Sequence, residues 1–147
     1  MANNKPNAIV LGGTNDHIAL LRNLKGRGYH TTLIDYYDNP CAKPYADNFI
    51  QESTLNKEKV LEIAKNLEAD LVISSCIDQA LLTACYVAEK LNLPAPFDYQ
   101  TALNVTNKRY MKEIFVKNDI PTSKHIVYDD NFDIGKSGLK FPLMVKP

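Results

Sequence analysis

The sequence predicts an α/β protein built on a doubly wound parallel sheet. Apolar runs of strand length recur at residues 7–11, 31–35 and 70–75. Amphipathic helical stretches separate them, and a Gly12-Gly13-Thr14 turn joins the first run to the first helix. Strands that alternate with helices pair in parallel, because each helix carries the chain back across one face of the sheet.

Each element has its own local reason. Asn7-Ala8-Ile9-Val10-Leu11 is nearly continuous in apolar residues, as a strand buried on both faces must be. Asn15 to Gly28 is an amphipathic helix with Ile18, Leu20, Leu21 and Leu24 turned inward, ended by Gly26 and Gly28. Thr31-Thr32-Leu33-Ile34-Asp35 completes a right-handed βαβ unit. A proline-punctuated loop from Asn39 to Tyr45 leads into a short third strand at residues 46–51. Leu55 to Leu67 carries the apolar stripe Val60, Leu61, Ile63, Ala64 and Leu67. Asp70-Leu71-Val72-Ile73-Ser74-Ser75 is the most apolar strand and is expected at the centre of the sheet. A long helix from Asp78 to Leu91 follows, and the break Asn92-Leu93-Pro94-Ala95-Pro96 marks a domain boundary.

Composition narrows the class. At 147 residues the chain accommodates one domain, or one domain and the beginning of the next. Its 17 basic and 17 acidic side chains cancel, so no basic face for nucleic acid or anionic lipid is implied. No run approaches bilayer-spanning length and no signal-like cationic segment precedes the first apolar stretch, so a cytoplasmic protein without a membrane partner is expected. Cys41, Cys76 and Cys85 are odd in number and scattered, which fits reduced thiols. His17, His30 and His125 show no metal-ligand spacing.

The last third carries a second pattern. Thr106 or Asn107 can cap a helix that begins Lys108-Arg109-Tyr110-Met111, and Asn118-Asp119-Ile120-Pro121-Thr122 ends it. A short strand at residues 124–128 and a polar loop precede Phe141-Pro142-Leu143-Met144-Val145-Lys146-Pro147, an apolar run with a lysine near its end. Lys108 and Lys146 thus stand at the ends of regular elements, where an ammonium on a flexible stem suits phosphate.

Asn107-Lys108, then Asp119-Ile120-Pro121-Thr122, then residues 141–147 resemble, in that order, the ATP-grasp family. The type resembled is the carbamoyl-phosphate-synthase-like, carboxylate–amine ligase. The resemblance implies that residues 1–96 are a Rossmann-like pre-ATP-grasp domain. Residues 97–147 would be a linking helix and the first, truncated part of an α+β ATP-grasp domain. Lys108 and Lys146 would approach the ATP phosphates. The full ligase would phosphorylate a small-molecule carboxylate, giving an acyl phosphate that an amine attacks. The glycine-rich loop, the adenine-contacting hinge and the acidic ligands of Mg²⁺ would lie beyond Pro147. The chain would then be an inactive piece of a longer ligase, with no catalytic residue and no metal ligand of its own. A homodimer is compatible with this reading.

The glycine turn has several readings. A helix N-terminus after a strand favours an anion, so Gly12, Gly13 and Thr14 can hold a carboxylate or phosphate. The resemblance assigns them to the carboxylate substrate. Asp78, at the carboxyl edge of the sheet, can contact an amine or hydroxyl of the substrate, or cap the long helix. The turn lacks the G-x-G-x-x-G fingerprint, but Asp35 stands where a ribose-binding acid would, so an NAD(P)-binding Rossmann protein is the alternative. A non-catalytic small-ligand module is a third reading, and glycines serving only a tight turn are a fourth.

Overall fold

The computed structural model describes residues 5–128, 135 and 137–145. Two compact units divide after Thr106, and each is taken by itself.

The first unit is a four-stranded parallel sheet in the order β3-β2-β1-β4. Its strands are β1 (Asn7–Leu11), β2 (His30–Asp35), β3 (Asn48–Gln51) and β4 (Leu71–Ile73). The helices are α1 (Asn15–Gly26), α2 (Lys57–Asn66), α3 (Asp78–Leu91) and α4 (Tyr99–Thr106), with one 3-10 turn at Lys43–Tyr45.

The alternation of β1 separates two cores. Ile9 and Leu11 point to a cluster with Val60, Ile63 and Ala64 of α2 and Ala80, Ala84 and Val87 of α3. Ala8 and Val10 point the other way, against Leu21 and Leu24 of α1. One helix covers one face and two cover the other, so the sheet is doubly wound as the sequence predicts.

The expected position of β4 is corrected. Ala8 to Leu11 of β1 are completely buried, whereas β4 is three residues long and stands at an edge of the described sheet. Among the described residues no strand pairs beyond it, and Leu71 and Ile73 are only half-buried. Apolarity reports burial between helices on two faces and does not report strand order.

Helices α1, α2, α3 and α5 (Lys108–Lys117) end in the same way. Gly28, Glu68, Asn92 and Asp119 adopt positive φ just past them. The N–H groups of Tyr29, Ala69, Leu93 and Ile120 then reach the carbonyls of Leu24, Ala64, Ala88 and Phe115. This is the Schellman closure, which satisfies carbonyls left over at a helix end. Only one of these positions is a glycine.

In the second unit Asn107 caps α5, its side chain accepting the N–H groups of Arg109 and Tyr110 at 3.0 and 3.3 Å. The strand expected at residues 124–128 is irregular here, and so are residues 141–145 of the closing apolar run. A strand exists only with a hydrogen-bonded neighbour, and among the described residues this unit provides none.

Candidate functional site

The carboxyl ends of β1, β2 and β4 converge on the Gly12-Gly13-Thr14 turn. Gly12 has φ of +105°, which an L side chain rarely adopts, and its N–H continues the sheet by donating to Ile34 O at 2.9 Å. A Cβ there would lie 2.6 Å from Ile77 Cδ1 and 2.9 Å from His17 Nε2. On Gly13 it would lie 2.3 Å from Pro40 Cβ. Both glycines are therefore required by the protein's own packing.

The N–H of Gly13 is also committed. It donates to Asp35 Oδ2 at 2.6 Å, while Tyr37 N–H donates to Asp35 Oδ1 at 2.8 Å. Asp35 is nearly buried, so the end of β2 is locked to the turn after β1 by a charged hydrogen bond. The visible role of Asp35 is as an anchor, with each carboxylate oxygen turned to backbone. The carbonyl of Gly13 accepts from Ala42 N–H at 3.0 Å and from the Cys41 thiol at 3.1 Å, which pins the proline loop to the same turn.

The donors that remain are at the first turn of α1. Thr14 caps the helix by position, but its side chain makes no capping bond. The hydroxyl instead pairs with His17 Nδ1 at 2.8 Å. Thr14, Asn15 and Asp16 are exposed, so the helix N-terminus opens to solvent without a side-chain cap, and the Asp16 carboxylate in its first turn offsets part of the dipole. His17 is completely buried, and its Nε2 has no partner within the described residues. Burial pushes the imidazole below its ordinary pKa of 6.5, against opposing pulls from Asp16 and Asp35. At neutral pH it is the uncharged ring.

On the other side of the turn, Ser74 Oγ donates to Leu11 O at 2.8 Å and ties β4 to β1. Cys76 then takes φ of 62°, and Ile77 occupies the cap position of α3. Asp78 is the first helical residue of α3, so the expectation that it caps the helix is corrected. Its charge sits in the first turn, where it complements the helix dipole.

The Gly12-Gly13-Thr14 turn lies beside Ile77, which a Cβ on Gly12 would meet, and Asp78 follows Ile77 in sequence. Lys108 begins α5 in the second unit. Lys146 lies outside the described residues. His17, Asp35, Pro40, Ser74 and Ile77 hold the turn and were not assigned that role from sequence. Thr14 and His17, three apart at a helix start, were the available signal, because that spacing puts both on one face. Among the described residues no group of acidic, histidine and cysteine side chains could hold a metal ion. None of the described helices is long and apolar enough to cross a membrane.

No family model matches the sequence, and no curated protein matches it. Solved structures do match. A phosphoribosylglycinamide synthetase from Anaerococcus prevotii superposes with a TM-score of 0.73 at 23% identity, over 87% of this chain and 33% of that one. The N5-carboxyaminoimidazole ribonucleotide synthetase of Thermotoga maritima gives 0.65 at 18% identity, over 81% and 32%. The N5-carboxyaminoimidazole synthetase of Staphylococcus aureus, complexed with ADP, gives 0.60 at 16%, over 78% and 30%. The chain has the fold of the amino-terminal region of ATP-grasp ligases. It spans about a third of the length of these structures. The ATP-grasp likeness extends past the sheet, since 87% of the chain is more than the first unit contains.

Proposed function

We propose that the chain is the amino-terminal part of an ATP-dependent carboxylate–amine ligase. The observation that carries this reading is the structural match, which covers 87% of the chain and so extends beyond the first unit. Residues 1–96 then form the pre-ATP-grasp domain, and 97–147 the linking helix and the start of the ATP-binding domain.

In this reading the sheet unit binds a small carboxylate substrate or the amine that attacks it. The open N–H groups after Thr14 supply partial positive charge for a carboxylate, and Asp78 suits an amine. Lys108 and Lys146 hold ATP phosphates as fixed positive charges, which stabilise charge spread over a phosphoryl group in transfer. Mg²⁺ would enter with ATP and neutralise part of the charge on its phosphates. A nucleotide is supported by the Staphylococcus aureus structure, which is complexed with ADP. The protein acts in the cytoplasm.

The test is calorimetric titration of Mg–ATP into the product of the intact gene, beside a Lys108→Ala, Lys146→Ala double variant. Binding in the micromolar range that the double variant loses supports the proposal. Binding of NAD in place of ATP overturns it.

A further inference from the structure

We propose a second ligand site in the first unit, between the start of α2, the side of α3 and the start of α4, for a small carboxylate with an apolar body. A cavity of about 300 Å³ opens there, lined by Leu55, Lys57, Gln79, Leu82, Thr83 and Tyr99. That volume is at the small end of the range for ligand pockets. This inference goes beyond the ligase reading and does not rest on it.

The charge in this cavity is held in place. Lys57 Nζ stands 4.5 Å from the centroid of the Tyr86 ring and 5.3 Å from that of Tyr99. It also donates to Tyr99 Oη at 3.5 Å. The two rings meet edge to face at 5.5 Å. Each is fixed in turn: Tyr86 Oη donates to Glu58 Oε1 at 2.7 Å, and the Tyr99 backbone N–H donates to Glu89 Oε2 at 3.1 Å. An ammonium against two ring faces keeps favourable electrostatics without a counter-ion. Among the described residues no carboxylate comes within ion-pair distance of Lys57, and the two neighbouring acids are turned to the tyrosines.

Three features select the ligand. Lys57 is the first residue of α2, so the helix dipole adds positive potential to the ammonium. Gln79 brings an amide that can donate to an oxygen, and Leu55 and Leu82 supply apolar wall. A single ammonium balances the single charge of a carboxylate and leaves half the charge of a phosphate dianion unbalanced.

The experiment is a ¹⁵N–¹H NMR titration of the whole chain with butyrate, and with 1-butanol as the uncharged counterpart. Saturable shifts at Leu55, Gln79, Thr83 and Tyr99 with butyrate are expected, with no matching response to butanol. Lys57→Met keeps an apolar stem against the rings and is expected to weaken binding about tenfold, the scale of one lost charged hydrogen bond. Leu82→Phe retains the ammonium but fills the cavity, and is expected to abolish the shifts even if Lys57→Met fails to fold. Absence of saturable shifts, equal shifts with butanol, or butyrate binding unchanged in a folded variant overturns the proposal.

Discussion

The carboxylate of Asp35 accepts the N–H of Gly13 at 2.6 Å across 22 residues of sequence. The donor that a glycine turn would offer an incoming anion is thus filled by the protein's own acid. An anionic ligand at this edge must use the N–H groups farther along, at the exposed first turn of α1, where the helix dipole still favours it.

Removal of that acid is expected to destabilise the fold. Asp35→Ala leaves a buried N–H unpaired, and Tyr37 N–H loses its acceptor as well. A cost of about 2 kcal/mol or more is expected, on the scale of charged hydrogen bonds with a stranded buried partner. Asp35→Asn keeps one carbonyl acceptor and should lose less. Urea unfolding measures both, and a midpoint unchanged in Asp35→Ala would show that the bond does not hold the turn.

Much of this architecture was legible because periodicity reports burial. The run Ala8 to Leu11 had to be a two-sided buried strand, and the stripe Val60, Ile63 and Ala64 had to face a core. The order of strands was not legible from apolarity, which is why β4 was expected at the centre. The glycine turn was visible as a turn, but its surroundings were not. Nothing local to Gly13 shows that Pro40 and Asp35 fill the space beside it, because both arrive from the far end of β2. The same holds for Lys57, whose aromatic partners come from α3 and α4. Tertiary neighbours decide these roles.

His17 gives the site a dependence on pH. Its imidazole is buried, and burial depresses the folded-state pKa below 6.5. The neutral ring therefore contributes fully above 6.5. As pH falls through that value the unfolded chain binds a proton that the folded chain refuses, so stability drops until the folded pKa is reached. His17→Gln should remove this component, and the difference in stability between the two proteins should narrow as the solution is acidified. A difference that stays constant through this window would mean that the ring titrates alike in both states. Carbon-13 chemical shifts of the ring provide the direct check.

The end of α1 separates two glycines with opposite expectations. Gly26 is the last helical residue, and a Cβ added there meets nothing within 4 Å. Gly26→Ala removes unfolded-chain entropy without cost in the fold, so a gain of about 0.5–1 kcal/mol is expected. Gly28 also has open space around it, but its φ is +87°. Its N–H donates to Lys25 O at 2.9 Å within the helix closure, so the chain cannot relax away from that conformation cheaply. Gly28→Ala is expected to lose about 1–2 kcal/mol, the price of a left-handed conformation for an L residue. Thermal melts of the two variants should therefore shift in opposite directions. A stabilising Gly28→Ala would show that the closure after α1 is not held at positive φ in solution.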